Sequence, residues 1–496
     1  MTNKYIMKIN NLKEELINDK KYLLLYTILI LICIILMFGP KNYQYWYFES
    51  ASIPVISLIG LVLILFSFKK KLELEKVALL LIIIFGLMMV FLAPPMAHPD
   101  EMNHFTKAEL LSEGILYPEK SDAGVLVNDY YFPLNEAQKG LTILDNPHIF
   151  DEISNHKGYA QTNDSPFYSY IPSAIGILIA KCLHLTAVFS LLFARLLNLI
   201  LYAGVAYWAI KKAPAFKIGL TLIAAMPMAV AQASSVSYDA FIITFTLIIL
   251  TYFIKMFEQK AENKDLAIFF ISIFLITLIK PPYIMLSFLI LVIPKENFIE
   301  NRNYSFIAIA LLFIASILSF SSFLTPATPT TVSASASNIS SSAQLSYILN
   351  NPLSLLELIK NSITLIPDTF VLNSSFYHYA DFKGLKAYKL AYLIFFVLFA
   401  LFYKQDINLS KRNRLILTSI FLITYFGIFG ILYLIWTPIG SNTILGVQSR
   451  YFVPIIPLLP LIINYDKKSI EKYEYLITLI ITFLVGLIIL TITHYY

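Results

Sequence analysis

Apolar residues arrive in this chain in blocks of roughly 20, the length an α-helix needs to cross the hydrocarbon core of a bilayer. In lipid every backbone N–H and C=O must find its partner within the protein, and unbroken apolar runs, lacking the alternation of a barrel strand, do so as helices. The blocks occupy 22–39, 51–68, 77–93, 166–183, 186–210, 216–233, 238–256, 266–279, 282–294, 304–324, 387–403, 413–436, 451–464 and 473–494. Hydrophobic residues make up 58% of the 496 and charged ones 14%, with a mean hydropathy of +0.71, far above a soluble domain. The expected class is an all-α polytopic integral membrane protein whose first partner is the lipid bilayer.

The formal charge of +6 does not point to nucleic acid, because the basic residues sit in short loops between apolar blocks and not in one patch. Cys33 and Cys182 both lie in apolar blocks, which supports neither a disulfide framework nor a thiolate metal site. Glu14, Glu15 and Asp19 stand among the N-terminal lysines, and no small-residue cleavage site follows the first block. That pattern predicts a retained anchor.

Loop lysines and arginines set the orientation, since cytoplasmic loops carry the excess of positive charge. Lys20 and Lys21, Lys69 to Lys71, Lys211, Lys212 and Lys217, Lys260 and Lys264, Lys295 and Arg302, Lys411, Arg412 and Arg414, and Lys467, Lys468 and Lys472 should all be cytoplasmic. Simple alternation satisfies this except between 166 and 210, where two blocks must make one crossing. Block 166–183, opened by Pro166 and interrupted by Pro172 and Gly176, is expected to be re-entrant or interfacial; the alternative is that both blocks cross and the lysines at 211–217 lie outside, which reverses every later loop. About thirteen transmembrane helices result, in a cell membrane of bacterial type, with two long extracytoplasmic loops, 94–165 and 325–386. The first loop should hold short surface helices; the second opens with a Ser/Thr/Ala-rich tract, 325–338, too poor in large apolar groups to pack by itself. Its aromatic-rich second half, 367–381, is expected to return to the surface as a short helix or sugar-stacking element. Residues 1–75 read as an N-terminal segment with two additional helices, 76–465 as the main membrane domain and 466–496 as a C-terminal helix.

Ionisable groups at the edge of a bilayer are costly and tend to be functional. Block 77–93 leads into Pro95-Met-Ala-His-Pro-Asp-Glu-Met-Asn-His104, where Pro94, Pro95 and Pro99 stop the helix and hold Asp100 and Glu101 at the exit. A helix starting at Pro99 or Asp100 places Asp100 and His104 on one face, a general base with an orienting partner. Plain N-capping explains an Asp-Glu pair after proline equally well. Any metal, Mg²⁺ or Mn²⁺, would draw on His98, Asp100, Glu101 and His104, although their spacing matches no established ligand pattern. Three more polar clusters fall on the same predicted side: Ser234–Asp239, Lys280-Pro-Pro-Tyr283, and Gly446–Pro454 with Arg450 and Tyr451. Lys280 and Arg450 suit a phosphate at headgroup depth, the arginine through its bidentate fork, and ordinary snorkelling is the bland alternative for each. Arg195, inside an apolar block, needs a partner such as Asn198 or an acidic residue of the first loop.

These same stretches, in this order, resemble the bacterial membrane family catalogued as domain of unknown function 2142: His98 to Ala108 with Gly114, Ser234 to Ala240, Lys280 to Tyr283, and Trp436-Thr-Pro438 leading to Gly446-Val-Gln-Ser-Arg-Tyr-Phe-Val-Pro454. The resemblance covers roughly 75–465, and Ser449 departs from it by standing where glycine would be expected. That family is similar to the GT-C glycosyltransferases, which take a sugar from a polyprenyl-phosphate carrier on the outer membrane face. The resemblance implies a GT-C-like bundle, Asp100 as catalytic base with Glu101 beside it, and Arg450 facing the carrier phosphate. Asp239 and Tyr451 join Arg450, Lys280 and Arg195 as expected substrate- or phosphate-binding residues. The implied partners are a polyprenyl-phosphate sugar and an envelope glycan acceptor; the runner-up is a flippase for lipid-linked saccharides. No nucleotide-binding glycine loop is evident.

The topology has a direct readout. Cysteines at Lys120 and Ser335 should label from outside intact cells and one at Lys411 should not; protection of Lys120→Cys would break the common-face argument.

Overall fold

In a computed structural model the described residues are 2–39, 46–121, 123–137, 156–299, 303–324, 339–363, 384–403, 406–463 and 473–496. Tracts 325–338 and 367–381 and Lys467, Lys468 and Lys472 therefore lie outside the described residues, as do other parts of both long loops. The helices, in chain order, are α1 (Thr2–Met37), α2 (Trp46–Lys69), α3 (Leu74–Leu92), α4 (Glu101–Ser112), α5 (Pro133–Ala137), α6 (Ile171–Cys182), α7 (Ala187–Lys212), α8 (Lys217–Ala224), α9 (Pro227–Ala233), α10 (Tyr238–Glu258) and α11 (Asn263–Ile279). A 3₁₀ helix, Pro281–Leu291, precedes α12 (Asn303–Leu324), α13 (Ser341–Asn350), α14 (Ser354–Ile363), α15 (Leu385–Phe402), α16 (Lys411–Ile435), α17 (Leu458–Ile463) and α18 (Tyr473–Tyr495). The protein is an all-α polytopic membrane protein.

Eight of these helices are long and apolar enough to cross a membrane, against the thirteen or so expected from the apolar blocks. Proline accounts for most of the difference. Block 216–233 is split into α8 and α9 just before Pro227; block 282–294 becomes the 3₁₀ helix behind Pro281 and Pro282; block 451–464 holds Pro454, Pro457 and Pro460 and forms only a short turn and α17. Block 166–183 yields a 3₁₀ turn, Phe167–Tyr170, that runs into the 12-residue α6, together about 26 Å at 2.0 and 1.5 Å per residue and shorter than the eight long helices. It lies against α7 so closely that a Cβ on Gly176 would run into the Phe193 carbonyl.

The bundle has two distinguishable ends. Glu73 is within electrostatic reach of Lys211 and Lys217, the Phe216 N–H donates to Asp406 at 2.6 Å, and the Ala261 N–H donates to the Asn297 carbonyl at 2.8 Å. Those contacts gather the lysine-bearing turns at one end. From there α3, α7, α10 and α11 each run to the other, where Asp100, Arg195, Asp239 and Lys280 are found.

At that second end sits a separate small layer with its own core. Loop 94–165 supplies α4 and, unforeseen among the expected surface helices, a three-stranded antiparallel sheet of β1 (Lys120–Ser121), β2 (Gly124–Asn128) and β3 (Lys157–Ala160). Val125 pairs with Ala160 and Val127 with Gly158, so Val125 and Val127 face inward onto Phe105, Tyr131, Ile177 and Leu191 while Leu126 and Tyr159 are exposed. The large core of the bundle is built mainly from α3, α7, α10, α16 and α18, and α18 packs against α1, α2 and α3.

One buried ion pair locks the two layers. Arg195 on α7 is 1% exposed and Glu101 at the start of α4 is 0% exposed; Nε and Nη2 of the arginine donate to the two carboxylate oxygens at 2.8 and 2.6 Å. Its remaining N–H groups donate to the carbonyls of Ala93 (2.8 Å) and Pro94 (2.9 Å), and the Val236 N–H donates to Glu101 at 3.0 Å. The arginine thus caps the orphan carbonyls at the end of α3 while fixing the chain that leaves it. Breaking a buried pair from one side costs about 3–5 kcal/mol, because the partner charge stays buried, whereas replacing both is far milder. Arg195→Met alone should sharply lower the melting temperature in detergent, and Arg195→Met with Glu101→Leu should recover much of the loss. A double variant no more stable than the single one would contradict this account.

Candidate functional site

Site geometry begins with the elbow between α3 and α4. Pro94 and Pro95 end α3, Met96 turns through a left-handed backbone (φ 55°), and Asp100 does the same at φ 59°, ψ 13° directly before α4. A left-handed conformation costs most L-residues about 1–2 kcal/mol, less for aspartate, and such residues concentrate where a side chain must be aimed. Asp100 occupies the N-cap position yet makes no side-chain cap hydrogen bond. Helix capping therefore does not explain the residue.

Its carboxylate turns instead to Arg450. Arg450 Nη2 donates to Asp100 Oδ2 at 2.7 Å; the arginine side chain is fully buried, while the Asp100 side chain is 44% exposed. The same guanidinium donates from Nη1 to the Pro99 carbonyl at 3.0 Å, and its Nε lies 3.0 Å from Asp239 Oδ2. Asp239, in the first turn of α10 behind the N-cap Ser237, also holds the Lys280 ammonium at 2.8 Å. Lys280 ends α11 immediately before Pro281 and lies over the ring of Tyr451 at 3.5 Å and that of Tyr238 at 4.9 Å. The Tyr283 hydroxyl donates to the Tyr451 carbonyl at 2.8 Å, joining the 3₁₀ helix to the turn Ser449–Phe452.

All four polar clusters singled out in the sequence are thus one constellation: Asp100, Asp239, Lys280 and Arg450 with Tyr451 against them. It bears on three of the expected roles, those of Arg450, Glu101 and Arg195. Arg450 turns its fork to Asp100 and the Pro99 carbonyl, with Nε at ion-pair distance from Asp239, while Lys280 has one of its three donors on Asp239 among the described residues. Glu101 and Arg195 occupy each other completely, so neither the auxiliary catalytic role of Glu101 nor a substrate-binding role for Arg195 has geometric support. The partner Arg195 needed is Glu101, an acidic residue of the first loop, while Asn198 bonds the Ser235 carbonyl at 2.8 Å.

His104 does follow Asp100 on α4, and its N–H bonds the Asp100 carbonyl at 3.1 Å. Its ring, however, reaches Tyr170 (2.7 Å) and Asn163 (3.0 Å) through Nδ1, not the Asp100 carboxylate. Burial pushes the pKa of both His98 and His104 down to about 4, so both are neutral at physiological pH. Among the described residues no three His, Cys, Asp or Glu side chains converge to hold a metal ion, and the set considered above is dispersed by the pairing of Glu101 with Arg195 and Asp100 with Arg450. Asn163 and Tyr170 were not foreseen; a lone Asn in a loop and a Tyr at a helix start carry no signal until α4 is placed beside them.

A large apolar cavity is lined by the residues that follow Lys280 in the chain, although none of Asp100, Asp239, Lys280, Arg450 or Tyr451 lines it. It has a volume of about 730 Å³ and runs between Pro281, Pro282, Met285, Phe313, Ile348 and Phe426. No curated protein and no solved structure gives a significant match to the chain. One family does match, over residues 82–459, three quarters of the sequence and all the site residues named above; the chain belongs to the family described as Predicted membrane protein (DUF2142).

Proposed function

We propose that this protein is a membrane glycosyltransferase that moves a sugar from a polyprenyl-phosphate-linked donor to a cell-envelope glycan on the extracytoplasmic face. The observation that carries the reading is the gathering of a surface-reaching carboxylate held by a buried guanidinium and an ammonium with one hydrogen bond among the described residues, with an apolar cavity lined by Pro281 and Pro282, which follow that lysine in the chain. A donor with a long apolar chain, a phosphate and a sugar has parts that match each in turn. The gathering of lysine-bearing turns at the opposite end supports an outward site through the positive-inside rule.

In this mechanism the acceptor hydroxyl attacks the anomeric carbon as its proton passes to Asp100, and the bond from that carbon to the phosphate oxygen breaks with its electron pair going to the phosphate. Phosphate leaves readily, so a cation can stand in for a general acid, and Lys280 offsets the charge that develops on it. Arg450 acts through Asp100 by fixing where the carboxylate points. A flippase would use Lys280 and the cavity but has no need of an aimed Asp100.

Asp100→Asn should therefore lower transfer from a defined polyprenyl-phosphate sugar by about 100- to 10,000-fold in purified, lipid-reconstituted protein, with normal accumulation and donor binding. Near-wild-type turnover would remove the base assignment, and transport without transfer would select the flippase. Lys280→Gln should weaken donor binding most, whereas Arg450→Lys, which keeps the charge but cannot span Asp100, Asp239 and Pro99 together, should lower turnover more than affinity. Transfer should be equal in chelator and in added Mg²⁺ or Mn²⁺, since the acidic side chains here are spent on cationic ones.

A further inference from the structure

Beside the charged constellation runs a short hydrogen-bond relay whose direction follows donor by donor. The Ser165 backbone N–H can only donate, and it meets Asn163 Oδ1 at 3.0 Å, which fixes the amide with its oxygen towards Ser165. The Asn163 NH₂ is then the group 3.0 Å from His104 Nδ1. An amide NH₂ has no lone pair to offer, so Nδ1 must be the acceptor. The Tyr170 hydroxyl lies 2.7 Å from the same nitrogen and 3.0 Å from Asn163 Oδ1; whichever receives its proton, a hydrogen on Nδ1 would face the Asn163 NH₂ head on. A neutral imidazole that accepts at Nδ1 carries its hydrogen on Nε2.

That second nitrogen has no hydrogen-bond partner among the described residues, although the residue is only 2% exposed. The ring stands edge-on to Tyr238, centroids 4.7 Å apart, within electrostatic reach of Arg450, Asp100, Asp239 and Lys280. A buried N–H left unmade costs about 1–3 kcal/mol, a cost that a ligand acceptor at this point would remove.

We propose that the Nε2–H of His104 is a preset hydrogen-bond donor to a phosphate oxygen of the ligand, with Asn163, Tyr170 and Ser165 as positioning residues that hold the ring in that tautomer. The choice of phosphate rests on the glycosyltransferase reading and on the cationic neighbours; the tautomer rests on neither. This differs from the orienting role that the spacing of Asp100 and His104 suggests, because the ring donates to the ligand and does not steer the base.

The tautomer is measurable without substrate. In full-length protein labelled with ¹⁵N-histidine and held in lipid nanodiscs, the His104 signals, identified by their loss in His104→Gln, should show a protonated Nε2 and a bare Nδ1 at neutral pH. A bare Nε2 or an imidazolium would overturn the proposal. Asn163→Asp, which presents an acceptor where a donor stood, should draw a proton onto Nδ1, and an unchanged His104 spectrum would overturn the relay. Binding supplies the second arm, with inorganic phosphate, farnesyl phosphate and farnesol as probes. His104→Leu should weaken the phosphate-bearing probes about 10-fold, the worth of one hydrogen bond to a charged acceptor, and leave farnesol unaffected. His104→Gln, whose amide keeps a donor near that position, should recover part of the loss. Farnesyl phosphate binding far above inorganic phosphate would identify a lipid headgroup as the source, and equal binding a free anion. Unchanged phosphate affinity in His104→Leu, or no binding of either phosphate by the wild type, would overturn the acceptor assignment. Both arms read the ground state, so a protein that binds in this way and transfers no sugar would defeat the enzymatic reading and leave the donor assignment standing.

Discussion

A guanidinium removed from water has to be met by fixed protein atoms, and much of this molecule is arranged around doing that twice. Arg450 reaches Asp100 across 350 positions of sequence and takes Asp239 and the Pro99 carbonyl with it. Arg195 satisfies the carbonyls at the end of α3 and both oxygens of Glu101. Consecutive acidic residues at the α4 start are thereby pulled to different arginines, one wholly interior and one reaching the surface. Desolvation makes each such charge expensive alone and stable only in its set, so removing one member disturbs the position of the rest. The aim of Asp100 is in this sense a property of α7, α10 and the 449–452 turn as much as of its own segment.

The division of labour between the two acidic neighbours could not be read from their order in the chain. Apolar blocks declare helices because satisfying the backbone in lipid is a local requirement, and class and orientation follow from composition and loop charge. The number of crossings is less local. A proline inside a block ends one helix and starts another, as at Pro227 and Pro281, and only packing against neighbours decides whether the pieces stack or fold back. The sheet of the first loop was hidden for a related reason: β2 and β3 are separated by nearly thirty residues, and their pairing is visible only in register.

The candidate site was legible as a set of polar clusters at one end of the bundle, since Asp100, Asp239, Lys280 and Arg450 each stand where an apolar block begins or ends. Their pairing was not, because charge type alone cannot say whether an arginine meets a ligand or a carboxylate. Lys280 and Arg450 look alike in sequence; in space the arginine meets two carboxylates and a backbone carbonyl, the lysine one carboxylate and two tyrosine rings. Asn163 shows the opposite limit: it has no motif around it, and its significance comes entirely from the direction of two hydrogen bonds.

The C-terminal helix α18 lies outside the stretch that matches the family, yet it is the most enclosed of the eight long apolar helices and touches α1, α2, α3, α8, α9 and α15. It is synthesised after every one of them. The contacts that α1, α2, α3, α8, α9 and α15 make with it therefore cannot form while those helices enter the bilayer one by one, and the enclosure of α18 is a packing step separate from their insertion.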